Sequence, residues 1–182
     1  MASLTRSKLR LSLFELLLFA MLGALMFVSK LFMEFLPNVH PLGMLTMVYT
    51  LTFRKKALVP IYCYVLLQGI YAGFNLWWIP YCYLWTILWG VTMLLPKSLP
   101  EKRAAIVVYP IVCALHGALF GTLYAPAQAL FFHLNFQGMI AWIVAGLPWD
   151  GVHAVGNFAM GFLILPLYGL LSKLYAKMQT RT

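Results

Sequence analysis

Four clusters of basic residues cut this chain into long apolar runs, and that alternation constrains its fold more than any other feature. Arg6, Lys8 and Arg10 precede the first run; Arg54, Lys55 and Lys56 form the second cluster, Lys97, Lys102 and Arg103 the third, and Lys173, Lys177 and Arg181 the last, leaving only Lys30 apart. A membrane-spanning helix takes about 20 mostly apolar residues. Of the 182 residues, 63% are hydrophobic and only 9% charged, whereas a soluble domain is about half apolar and about a quarter charged. Six spans would occupy about 120 residues, leaving no room for a soluble catalytic domain. The expected fold is all-α: a polytopic membrane protein with six transmembrane helices in one domain, 1–182.

The runs and their breaks place the helices at 11–36, 42–53, 57–74, 79–95, 104–124 and 149–172. The basic head resembles a signal peptide, but the run behind it is long and has no convincing AxA cleavage site. It is therefore read as an uncleaved first helix. Proline lacks an amide donor and disfavours helix in the residue before it, so Gly146-Leu147-Pro148 predicts a break. That leaves a short cap helix at Met139–Ala145 before helix 6. Basic residues mark the cytoplasmic side of a membrane. Six spans put all four basic clusters on that side, with both termini cytoplasmic and the turns 37–41, 75–78 and 125–148 outside.

Several chemistries find no foothold. The sequence has no GxxxxGK[ST] phosphate loop, no HExxH and no GxSxG, so no catalytic residues are assigned and ATP hydrolysis by that loop is excluded. Cys63, Cys82 and Cys113 lie apart in apolar runs, as buried thiols do, and form no CxxC pair. The net charge of +9 is spread between spans rather than gathered on one soluble face, so no nucleic-acid partner is expected. Ion-coupled carriers place ionisable groups at mid-membrane depth. Glu15, Glu34, Glu101 and Asp150 all fall towards span ends or loops, which disfavours a self-powered carrier; His116 in helix 5 keeps one open.

Polar and aromatic residues gather on the expected outer side. Lys30 and Glu34 stand four apart on one helix face and can pair, either neutralising each other in the bundle or meeting a ligand. Asn38 and His40 flank the first outer turn. The second holds Asn75, Trp77, Trp78 and Tyr81, with Trp85 one turn on. Trp and Tyr favour membrane interfaces, yet five of the six tryptophans (77, 78, 85, 142 and 149) fall on this side, which suggests an aromatic-lined cavity. Trp149 opens a third cluster in which Asp150, His153 and Asn157 share one helical stripe. Asp150 either complements a helix N-terminus or pairs with His153 to orient its imidazole. A metal site would need a further ligand from His133 or His40, and none is assigned. Ala20, Gly23 and Ala24 make a small-residue face on helix 1 that either packs within the bundle or receives a partner helix.

Together these features resemble the S-component, the substrate-binding membrane subunit, of energy-coupling factor (ECF) vitamin transporters. Size, span number and termini fit along essentially the whole chain. Ala20-x-x-x-Ala24 looks like the family's docking motif for its transmembrane coupling subunit. Gly146-Leu-Pro-Trp149-Asp150-x-x-His153-x-x-x-Asn157 looks like segments often seen in its members. The resemblance implies a non-enzymatic subunit in a prokaryotic plasma membrane, without a cofactor of its own, that captures a vitamin from outside. It implies partnership with a coupling subunit and two cytoplasmic ATPases, which hydrolyse the ATP. Among ligands it is nearest to the corrinoid type, so cobalamin is the first expectation, with another vitamin or a nucleobase-like precursor as alternatives. Two further readings stay open: a small intramembrane enzyme using Asp150 and His153, and a structural membrane protein.

Overall fold

The computed structural model describes residues 11–180; Arg6, Lys8, Arg10 and Arg181 lie outside the described residues. Within them the chain is all-helical, with no strand. The helices are α1 (Leu13–Phe32), α2 (Leu42–Phe53), α3 (Leu58–Ala72), α4 (Tyr81–Leu94), α5 (Ala105–Ala118), α6 (Phe120–Phe131), α7 (Phe136–Gly161) and α8 (Ile164–Gln179).

Local chemistry sets most of these boundaries. Ser12 and Glu15 form a capping box at the start of α1: the Ser12 hydroxyl accepts from the Glu15 N–H, and the Glu15 carboxylate accepts from the Ser12 N–H. Pro41 and Pro80 stand at the N-caps of α2 and α4, where a missing N–H costs nothing. Gly73, at φ +89°, ends α3.

Among the described residues, two lengths of helix are apolar and long enough to cross a membrane: Leu13–Phe32, and α5 continued through α6 as Ala105–Phe131. A third arises if α7 and α8, bent by 52° at their junction, count as one. At 12, 15 and 14 residues, α2, α3 and α4 fall short of the about 20 residues of a full span. Every residue of α2 from Leu42 to Thr50 is buried, so this helix forms the axis about which α4, α5, α7 and α8 pack.

The C-terminal part departs from the sequence expectation. Gly146-Leu147-Pro148 does not break the chain: α7 runs without interruption from Phe136 to Gly161, and no separate cap helix stands at 139–145. Likewise 125–135 is mostly the end of α6 rather than an open turn. Proline removes one backbone hydrogen bond, and a helix in an apolar setting tolerates that when its neighbours hold it straight. The break falls instead at Phe162–Leu163, before Pro166 in the first turn of α8. There the proline denies the Phe162 carbonyl its i+4 donor. The expected helix 149–172 is thus the second half of α7 plus the first half of α8. At the other end, α1 stops at Phe32, short of the expected Leu36.

The start of α1, the turn after α2 and the far ends of α4 and α8 meet at one end of the bundle. Glu15, only 5% exposed, accepts from Lys56 and from the Tyr175 hydroxyl, joining α1, the 54–57 turn and α8. Arg54, at φ +56°, donates to the Met93 carbonyl and accepts at its own carbonyl from the Trp89 indole. The basic clusters 54–56 and 173–177 therefore share this end.

The most extensive helix contact is α5 on α7. A Cβ at Gly161 would lie 2.5 Å from the Pro110 Cα, a backbone atom that cannot step aside. Gly161→Ala is expected to destabilise the chain by about 1–3 kcal/mol, read as a lowered thermal midpoint in detergent. Gly146→Ala, with nothing within 4 Å of the new Cβ, should leave it unchanged or raise it.

Candidate binding site

Opposite the Glu15 end, the start of α4 carries the fully buried indole of Trp85. Chain direction brings the other parts to it: His40 just before α2, Tyr64 near the middle of α3, Tyr81 one turn earlier on α4, His116 near the end of α5 and Phe120 at the start of α6. All five rings contact Trp85, with centroids 5.7–6.3 Å away. His153 of α7 completes the group, edge-to-face with His40 at 4.9 Å and with Phe120 at 5.0 Å. Such edge-on packing suits aromatic quadrupoles and orders the cluster.

The polar atoms of this cluster are its unusual property. His40 Nδ1, the Tyr64 hydroxyl, Trp85 Nε1, His116 Nδ1 and His153 Nε2 are all buried without a hydrogen-bond partner among the described residues. Gln68 Oε1, one turn beyond Tyr64, joins them. Each such group costs about 1–3 kcal/mol, and buried polar atoms in folded proteins are otherwise nearly always paired. Their concentration on mutually contacting rings makes this the candidate place for hydrogen-bonding atoms from outside the chain, although Thr46, Tyr109, Asn157 and Ser172 also hold an unpartnered buried atom. Burial pushes the His40 imidazole down to about 4, so it is neutral at ordinary pH.

Asp150 and Asn157 frame this cluster rather than join it. Both Asp150 carboxylate oxygens accept from the Gly121 N–H, at 3.0 and 3.1 Å. Gly121 lies in the first turn of α6, whose N–H groups have no partner within the helix, and a negative charge is favoured there. A Cβ on Gly121 would fall 2.4 Å from the Asp150 carboxylate. Asp150 therefore serves a helix N-terminus, but that of α6, since it sits midway along its own helix. It does not orient His153, whose ring packs on His40 and Phe120. Asn157 Nδ2 donates to the Cys113 carbonyl at 3.1 Å, locking α7 to α5.

The other expected residues divide. Trp85, Tyr81, His40 and His153 come together. Trp77 packs against Tyr81 at 5.6 Å, and its carbonyl accepts from Tyr124. Trp78 donates to the Val65 carbonyl at 2.8 Å, a bond that fixes the turn after α3. Asn75 is exposed beside Gly73. Asn38, at φ +58°, donates to the Trp149 carbonyl at 3.4 Å, tying the 33–41 connection to α7. The Trp149 ring itself is exposed. Lys30 and Glu34 pair at 3.5 Å, with side chains 19% and 58% exposed.

Tyr64, Gln68 and Phe120 were not singled out from sequence. Gln68 carried a usable signal, being a lone amide in an apolar run, where polar groups are costly and commonly functional. Phe120 carried none. On α1, Gly23 faces inward, and its added Cβ would lie 2.5 Å from that of Cys63 on α3; Ala20 is exposed and Ala24 half-buried. No three or more His, Cys, Asp or Glu among the described residues are grouped to hold a metal ion.

Comparison with protein-family models, with curated proteins and with solved structures gives no match, so functional argument rests on the residues. The Asp150–Gly121 contact yields a direct test. Asp150→Ala leaves a buried N–H without its acceptor and should destabilise the chain by about 1–3 kcal/mol. Asp150→Asn, which still offers a carbonyl oxygen, should recover most of the loss in thermal midpoint.

Proposed function

We propose that this chain is the substrate-binding membrane subunit of an ECF-type importer in a prokaryotic plasma membrane. It captures a vitamin-like small molecule from outside and passes it inward with a coupling subunit and two ATPases. The observation that carries this reading is the buried ring cluster with its unpartnered polar atoms, set at the end of the bundle away from the basic clusters 54–56 and 173–177. If those clusters mark the cytoplasmic face, the ring cluster lies in the outer half, where an importer meets its cargo. In this reading six helical segments cross or enter the bilayer, the short ones shielded by the long, and both termini are cytoplasmic.

The division of the α1 surface supports it further. Gly23 is used internally against α3, while Ala20 stays exposed on a face that continues through Met21 and Leu25. A small residue on an apolar helix face permits close approach by a second helix, which is what a coupling subunit requires. As for cargo, cobalamin calls for a wide chamber. The ring-to-ring packing about Trp85 favours a smaller and flatter molecule.

Gentle solubilisation of a tagged chain from its native membrane, followed by mass spectrometry, is expected to recover a membrane coupling protein and two ATPases. Ala20→Trp should sharply reduce that recovery and stop uptake, yet leave ligand capture intact. A different, reproducible partner set with the wild-type chain would overturn the reading.

A further inference from the structure

The geometry points to a flat, uncharged nitrogen heterocycle with adjoining N–H and C=O groups, a lactam edge, as the ligand of the Trp85 cluster. The assignment rests on the importer reading above and names its cargo class. A neutral imidazole has one donor and one acceptor nitrogen. His116 Nε2 lies 3.1 Å from the Leu84 carbonyl; a carbonyl can only accept, so Nε2 carries the hydrogen and Nδ1 is left as an acceptor. Trp85 Nε1 can only donate. These two atoms, both buried and unpartnered, belong to rings 5.7 Å apart. One donor beside one acceptor is the complement of a lactam edge, with the ligand carbonyl accepting from Trp85 and the ligand N–H donating to His116. Tyr81 and Phe120, each in contact with Trp85 and edge-on to each other at 6.3 Å, surround these two atoms with uncharged aromatic surface.

Charge narrows the class. None of the side chains in ring contact with Trp85 carries a fixed charge. The Lys30 ammonium is paired with Glu34, so an anionic ligand would enter without a free counter-charge. The Asp150 carboxylate is taken by Gly121, so a cationic ligand would fare no better. Burying an unpaired charge costs far more than burying a hydrogen-bonded amide.

Titration calorimetry on the full chain in lipid nanodiscs tests this with uracil and hypoxanthine as probes. One-to-one binding of at least one of them is expected. For uracil, 1,3-dimethyluracil (no N–H) and orotate (the same ring with a carboxylate) should each bind about tenfold more weakly or worse. Trp85→Phe keeps an aromatic ring and removes the donor, and should weaken lactam binding by a similar factor. The methylated probe removes the same edge from the ligand side, so the result does not depend on how that variant folds. Failure of both lactams to bind, orotate binding as tightly as uracil, or equal binding of the methylated ring would each overturn the assignment. Cyanocobalamin binding in place of the lactams would overturn it while leaving the importer reading intact. Lactam binding by a chain that recovers no ATPases would do the reverse.

Discussion

The Asp150 carboxylate on the Gly121 N–H fixes the relation between α7 and the junction of α5 with α6, and the ring cluster depends on that relation. His116 and Phe120 lie on either side of the junction; His153 is one turn beyond Asp150 on the facing helix. In a low-dielectric interior a carboxylate bonded to a helix N-terminus holds its position strongly. Gly121 contributes by lacking the carbon that would push the two helices apart. Asn157, a turn further along, repeats the attachment against Cys113. One edge of the cluster is thus pinned by two polar contacts, while the rings themselves keep unpaired atoms.

The central helix explains why the rest can assemble around so small a core. α2 is buried on every side between Leu42 and Thr50, including Thr46 and Thr50. The Thr50 hydroxyl returns its hydrogen to the Thr46 carbonyl, so one polar side chain on this axis is satisfied within the helix itself. Longer helices on the outside carry the exposed leucines and phenylalanines. An apolar exterior over a partly polar interior is what a hydrocarbon solvent selects.

Much of this was legible in the residues. Helical content, the limits of α2 and the gathering of His40, Trp85 and His153 at one end follow from apolar runs, a Pro-bounded start and polar residues where they are costly. Pro148 was misread because a proline's effect depends on its neighbours. Pro110, Pro126 and Pro148 sit inside helices, whereas Pro166 coincides with the break. Sequence shows the missing N–H but not whether the surrounding helices hold the segment straight. The i, i+3 spacing of Asp150 and His153 likewise suggested a pair, but a backbone donor on another helix reached the carboxylate. Aromatic residues were hardest to sort: Trp149 is exposed and Trp85 is fully enclosed, and nothing local distinguishes them.

The Glu15 contacts bear on how such a bundle moves. At that end, one carboxylate gathers a lysine, a tyrosine hydroxyl and a backbone amide from three parts of the chain, and its hydrogen-bonding capacity is well used. At the opposite end, indole, phenol and imidazole groups have capacity to spare. Separation of the helices breaks compensated contacts at the first end; at the second, Asp150 and Asn157 hold α7 to its neighbours while the ring atoms stay uncompensated, so local opening free energy differs along the axis. The molecule is mechanically a pair of tongs, with the handle more fully compensated than the tips.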